Sequence, residues 1–220
     1  MKLNKFSILV VFALLSACTG NNIRNYDDYI NWLANKENGL LLTKTIGGLD
    51  LTASYLPSDF LVYQDIEVDD MNKPGRIDSL KDLYKKGITI KLSFTPHDKD
   101  EPGDLMYSNV QNYGEYRDKI LNITFDIERL IKLKTGNKEY KPVLTSFEDT
   151  YGLKPGRDVI CVFVPANKNE DEFYRSEKLD FVFTDEIFNS GINHFVFNRK
   201  AINNSESIEF ISQILNNHDQ

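Results

Sequence analysis

Apolar and polar residues alternate along several stretches of this chain, and no other feature constrains the fold as strongly. Leu49 to Tyr55, Ile88 to Phe94 and Leu121 to Ile127 each carry an apolar residue at every second position. Because successive side chains of a β-strand point to opposite faces, this period of two predicts strands with one face on a core. Four later stretches are also expected to be strands: Tyr140 to Phe147, Asp158 to Val164, Lys178 to Thr184 and His194 to Arg199.

A hairpin is expected near the start of the β-rich region. Gly47 and Gly48 separate Leu40 to Lys44 from the strand that begins at Leu49. A tight turn needs positive φ, which glycine adopts without steric cost.

Two segments have the apolar spacing of helices. Asn25 to Asn38 and Arg76 to Lys86 repeat apolar residues three and four positions apart, and a glycine follows each segment. The segment from Ser205 to Leu215 fits either a helix or an edge strand, and both interpretations stay open.

These patterns predict a mainly β chain. We expect an antiparallel β-sandwich, either immunoglobulin-like or transthyretin-like, with two or three short helices. The 220 residues are 41% hydrophobic, which excludes a disordered chain, and residues 26–220 are expected to form one domain. The alternation predicts that six phenylalanines belong to the core: Phe125, Phe163, Phe181, Phe183, Phe195 and Phe197.

The amino terminus has the features of a targeting segment. Lys2 and Lys5 precede an apolar run from Phe6 to Leu15, which is too short to span a bilayer. Leu15-Ser16-Ala17-Cys18 follows, and here the chain resembles the lipobox of bacterial lipoproteins. The resemblance implies a signal peptide at residues 1–17, lipid attachment at Cys18, and a lipidated tether at residues 18–25.

The same resemblance implies a location. Thr19 follows Cys18 where inner-membrane lipoproteins carry Asp, so similarity to the sorting rule implies the outer membrane. In lipoproteins of Bacteroidota an acidic cluster directly after the cysteine is associated with export to the cell surface. No such cluster follows Cys18, so this similarity implies a domain facing the periplasm. A faint likeness to uncharacterised lipoproteins of that group extends over Leu51 to Phe60. With a net charge of −7 the chain is not attracted to anionic lipid headgroups. Attachment to the membrane therefore depends on the lipid on Cys18 alone.

Composition and motifs exclude several classes of function. Lys and Arg number 26 against 33 Asp and Glu, so we expect no nucleic-acid partner. No cofactor motif is present, and we expect no cofactor. The acidic run from Asp98 to Asp104 departs from the EF-hand pattern at Pro102, so we expect no metal there. Cys161 lies in an apolar strand and is expected to be a small buried hydrophobe.

The candidate binding residues are Tyr107, Tyr113, Tyr116 and Arg117, in a polar stretch rich in amides. Tyrosine beside Asn and Arg suits sugar stacking or a protein contact. The alternative is that these rings cover an edge of the sandwich, as the general burial of aromatic residues favours.

Three functions fit the sequence. The first is a non-enzymatic scaffold that docks envelope proteins; at the level of fold alone the chain resembles lipoproteins of type VI secretion complexes. The second is a module that binds glycans or peptides through the tyrosines. The third is a hydrolase with an acid pair assembled in space, or with His97 or His194 beside a carboxylate. We expect no enzymatic activity, and the oligomeric state stays open.

Overall fold

A computed structural model describes residues 26–66, 73, 75–98, 105–148, 155–167 and 169–205. Within these residues nine strands form two antiparallel sheets, and six α-helices precede, connect or follow the strands. The strands are β1 (Leu41–Ile46), β2 (Leu49–Leu56), β3 (Ile88–Pro96), β4 (Ile131–Thr135), β5 (Lys138–Tyr140), β6 (Leu144–Glu148), β7 (Arg157–Phe163), β8 (Lys178–Asp185) and β9 (Gly191–Asn198). The helices are α1 (Tyr26–Ala34), α2 (Ser58–Asp65), α3 (Arg76–Tyr84), α4 (Tyr113–Leu121), α5 (Asp171–Arg175) and α6 (Arg199–Ser205).

The strand order is β1-β2-β3-β7-β6 in the first sheet and β5-β4-β8-β9 in the second. The prediction of a mainly β chain with antiparallel sheets is therefore confirmed. The expected two or three helices were too few. Helix α5 has only five residues, and α4 fully buries none of its own, so neither shows the long apolar stripe by which a sequence predicts a helix.

The predicted hairpin is present between β1 and β2. Ile46 pairs with Leu49, which leaves Gly47 and Gly48 as a two-residue loop with φ of 58° and 81°. Two successive positive φ values define the turn type that matches the twist of a hairpin.

Apolar side chains of the two sheets contact one another. The ring of Phe94 on β3 meets Phe183 on β8 edge to face at 5.4 Å, and Phe163 on β7 meets Phe181 on β8 at 6.1 Å. Five of the six predicted core phenylalanines are buried: Phe163, Phe181, Phe183, Phe195 and Phe197.

A smaller core lies among helices α1, α2 and α3. Tyr29, Val62 and Leu80, one from each helix, are buried together. Trp32 and Leu33 of α1 pack against both this cluster and the main core, so the helices are joined to the sheets by apolar contact.

The predicted strand from Leu121 to Ile127 is wrong. After α4 the chain continues through a short π-helix, Asn122–Asp126, and a 3-10 helix, Ile127–Leu130. Ile123 and Ile127, four positions apart, turn inward together, whereas Phe125 between them is 69% exposed. The apolar residues of this stretch fit both periods, and packing selected the helical one. Phe125 is accordingly not a core residue.

The predicted strand from Tyr140 to Phe147 is two strands in different sheets. Strand β5 ends at Tyr140, and β6 begins at Leu144 beside β7. Pro142 lies between them and has no backbone N–H to donate to a ladder, so the chain crosses there from one sheet to the other.

Several predictions concern residues outside the described part of the chain. These are the signal peptide at residues 1–17, Cys18 and its tether, and the segment from 206 onward. Residues 99–104 of the acidic run also lie outside it.

Candidate functional site

The predicted binding residues lie on two short helical elements that follow one another. Tyr107 ends a 3-10 turn, Leu105–Tyr107, and the other three residues lie on α4. Helix α4 begins after Asn112, whose side chain accepts a hydrogen bond from the Glu115 N–H at 3.1 Å. The Glu115 carboxylate in turn accepts from the Gln111 N–H at 2.9 Å. These reciprocal bonds satisfy N–H groups at the start of the helix.

The structure brings the three tyrosines together. The rings of Tyr107 and Tyr116 stack with centroids 4.5 Å apart and planes 12° apart, and Tyr113 lies 6.2 Å from Tyr116. Tyr116 packs against the main core, but Tyr107 and Tyr113 are 62% and 77% exposed. Only one of the three rings therefore covers the core.

The rings of Tyr107, Tyr113 and Tyr116 form the tyrosine cluster, and Arg117 instead pairs with an aspartate. Its guanidinium binds the carboxylate of the adjacent Asp118 at 2.9 Å, and both side chains are exposed. A pair of this kind contributes little to stability.

A groove of about 920 Å³ adjoins Tyr107. Its walls come from the β1–β2 turn, Pro96 at the end of β3, residues 105–110, helix α4 with Asn122 after it, and the loop of residues 186–190. Amide, hydroxyl and carboxylate groups dominate the polar lining, which consists of Ser108, Asn109, Glu115, Asp118, Lys119, Asn122, Glu186, Asn189 and Ser190.

Two asparagines of this lining have left-handed backbone. Asn109 has φ 55° and Asn189 has φ 60°, and they are the non-glycine residues with positive φ among those described. Asn tolerates this conformation better than most residues, yet it still costs free energy. Both residues lie on loops that line the same groove, so the backbone conformations of higher free energy are concentrated there.

Asp185 holds the loop of residues 186–190 in shape. Its buried carboxylate accepts hydrogen bonds from the N–H groups of Ile187, Phe188 and Ser190, all within 2.9 Å, and from the Ser190 hydroxyl. Charge-assisted hydrogen bonds to backbone N–H groups are strong, so one side chain at the end of β8 determines the conformation of the loop.

Lys119 joins the two loops across the groove. Its ammonium donates to the Ser108 carbonyl at 2.9 Å and lies near the Ser108 hydroxyl and the Leu105 carbonyl, at 3.3 and 3.5 Å. It also lies 4.5 Å above the ring of Phe188. Because a cation over an aromatic face is attracted to it, Lys119 links residues 105–108 to the loop that Asp185 shapes.

The two histidines considered for acid–base chemistry each contact an aspartate. His97 lies 3.0 Å from Asp50, and His194 lies 2.8 Å from Asp180. Hydrogen bonds from Thr45, at 2.6 Å, and from His97 lower the pKa of Asp50. Both pairs lie on exposed sheet surfaces. The sequence predicted that His194 begins a strand, but the residue lies inside β9.

None of the described carboxyls with a displaced pKa has it raised, as the general acid of a hydrolase would. The carboxyls with a displaced pKa, Asp50, Glu139 and Glu170, all have it lowered by hydrogen-bonding partners. Cys161 is buried, as predicted, and burial raises the pKa of its thiol. Over the same residues, no group of three His, Cys, Asp or Glu side chains is arranged to hold a metal ion.

Sequence reasoning did not identify Asp185, Lys119 or the loop of residues 186–190. One local signal was available, because an Asp followed by Asn189-Ser190-Gly191 is typical of a turn capped by a side chain. Lys119 has no such signal, since its partners lie on separate segments of the chain.

No model of a known protein family matches this chain, and no curated protein matches it. Among solved structures, the crystal structure of a novel protein of unknown function from Burkholderia pseudomallei is similar. The similarity covers 97% of this chain and 99% of that one, with 11% sequence identity and a TM-score of 0.38. In the described part of the chain no helix is both long enough and apolar enough to cross a bilayer.

Proposed function

We propose that this chain is a lipoprotein of the bacterial outer membrane that binds glycans on the periplasmic side. The single observation that carries the binding function is the stacked pair of Tyr107 and Tyr116 beside a groove lined by amides and carboxylates. The lipobox that ends at Cys18 supports the anchor.

The groove has the chemical groups that sugars need. The apolar face of a sugar ring packs on an aromatic face, and Tyr107 has one face on Tyr116 while most of the side chain is exposed. Amides both donate and accept hydrogen bonds with sugar hydroxyls, and carboxylates accept them. Asn109, Asn122 and Asn189 supply amides at the groove. The volume lies within the range of small-molecule sites.

The fold proposed for this module is a β-sandwich of immunoglobulin-like or transthyretin-like type. The contacts of Phe94 with Phe183 and of Phe163 with Phe181 support it, because each pair joins one sheet to the other. In such sandwiches the loops at one end carry the binding residues. The β1–β2 turn and the loop of residues 186–190 meet at one end in this way.

A second candidate is a scaffold that docks an envelope protein on β9. This strand is an edge of its sheet, pairing with β8 through eight residues in unbroken register. Ile192 and Val196, on its outer face, are 67% and 48% exposed. An edge strand of this length can accept a strand from a partner.

The glycan function is tested by removing the stacked ring. Tyr107→Ala should weaken the binding of oligosaccharides by about two- to tenfold, because aromatic stacking contributes roughly 0.5–1.5 kcal/mol. Binding is measured by titration calorimetry with glycans first identified on a glycan array, using the full-length protein in detergent.

The matched control is Tyr63→Ala. Tyr63 also takes part in a ring stack, with Tyr26 at 4.2 Å, but that stack belongs to the helical cluster. Its loss should leave glycan affinity unchanged. Equal affinities of the native protein and of Tyr107→Ala would contradict the proposed site. The scaffold would be favoured by two results together. The native protein would bind no glycan, and a complex with an envelope protein would be lost in Val196→Lys.

A further inference from the structure

The cations at the groove are engaged by groups of the protein itself. Lys119, the one cation among the described lining residues, binds acceptors of residues 105 and 108 and the face of Phe188. Arg117 binds Asp118 at 2.9 Å, and Arg129 binds Glu186 at 3.2 Å. A bound ligand would therefore meet no lining cation that is not already engaged by the protein.

Negatively charged acceptors, in contrast, are plentiful along the same walls. Glu115, Asp118 and Glu186 contribute three carboxylates to the lining. Their hydrogen bonds to Gln111, Asn112 and the two arginines leave further lone pairs, since a carboxylate accepts about four hydrogen bonds.

We infer that the groove selects its glycan by charge: it accepts neutral sugars and sugars that carry amino groups, and it rejects acidic ones. This inference rests on the proposed glycan function and adds the class of ligand. Hydroxyl and ammonium groups donate hydrogen bonds to carboxylates. A sugar carboxylate or phosphate would lose its hydration beside three carboxylates. The nearby cations do not offset this loss, because Arg117 and Arg129 already pair with two of those carboxylates and Lys119 is held by the protein.

The test compares three oligosaccharides of equal length on the full-length protein in detergent at about pH 6, at which amino sugars are largely protonated and carboxylates stay ionised. The probes are a neutral N-acetylglucosamine oligomer, its deacetylated cationic form and an oligomer of galacturonic acid. The affinity for the acidic probe is expected to be at least about tenfold lower than for the other two. This difference should shrink between about 0.05 M and about 0.5 M salt, because ions screen exposed charges.

A variant separates charge from shape. Glu186→Gln replaces one carboxylate by a neutral amide of nearly equal size, and it removes the ion pair of Glu186 with Arg129. The affinity for the acidic probe should then rise about threefold or more relative to the affinity for the neutral probe. The control is Glu177→Gln, an exposed carboxylate next to the opposite end of β8, which should change neither affinity.

The outcomes distinguish this inference from the function on which it rests. If none of the three probes binds, the proposed glycan function is contradicted, and the charge selection is overturned with it. If the acidic probe binds as tightly as the neutral one, only the charge selection is overturned. An equal gain in Glu186→Gln and Glu177→Gln would also overturn it, because net charge rather than the groove would then be responsible.

Discussion

Phenylalanine side chains carry much of the contact between the two sheets. Phe181 is fully buried and contacts rings on both sides, Phe163 of the first sheet at 6.1 Å and Phe195 of the neighbouring strand at 6.2 Å. Edge-to-face and tilted pairs of this kind add a favourable quadrupole interaction to the burial of apolar area. Side chains at this position cannot be shortened without leaving a cavity between the sheets.

Phe181→Ala should therefore destabilise the protein by about 3–5 kcal/mol, from lost burial and from the cavity left behind. Phe125→Ala is the matched control. That ring is mostly exposed, so its loss should cost about 0.5 kcal/mol or less. Both values follow from urea unfolding monitored by circular dichroism. Equal losses in the two variants would contradict the strand register of β8.

At the level of elements, the β1–β2 turn depends on backbone conformation rather than on space. A Cβ at Gly47 or Gly48 would meet nothing within 4 Å. The two residues nevertheless have positive φ. Residues other than glycine adopt positive φ at a cost in free energy, which is smallest for Asn and Asp. The turn also lines the groove, so its shape matters to the candidate site.

Gly48→Ala should accordingly destabilise the protein by about 1 kcal/mol through backbone strain alone. Gly47→Asn should be close to neutral, because Asn-Gly is a preferred sequence for this turn. Thermal unfolding of both variants gives the comparison. A larger loss in Gly47→Asn than in Gly48→Ala would show that the turn has a different conformation.

At the scale of the whole molecule, the proposed anchor and the folded body are separate in the sequence. Among the described residues, the buried side chains of the main core lie between Leu40 and Ile202, and the proposed lipid is on Cys18, before them in the sequence. If lipid on that thiol is the attachment, folding and membrane binding are independent properties. Several acyl chains hold a protein at a bilayer far more firmly than one.

Cys18→Ser should release a soluble protein that keeps its melting temperature. Fractionation of the envelope followed by circular dichroism of the soluble fraction provides the measurement. Cys161→Ala serves as the control for the loss of a thiol, and that variant should stay with the membrane. Retention of Cys18→Ser in the membrane fraction, or its misfolding, would contradict the tether.

The amino-acid sequence by itself determined the features that depend on local periodicity. The alternation predicted the strands around Ala53, Leu92 and Phe181, and the glycine pair predicted the hairpin, because one-sided burial and positive φ leave local patterns. Where a stretch fits two periods, as around Ile123, only its packing decided that it is helical.

The candidate site was decided by tertiary structure. The tyrosines are neighbours in sequence, and their chemistry was predicted from it. The groove, however, brings together Gly48, Tyr107, Lys119 and Phe188, which are separated by long stretches of chain. Strand order and the shape given to the 186–190 loop by Asp185 place these residues side by side. Contacts between distant segments depend on how whole sheets pack, so no local pattern could predict them.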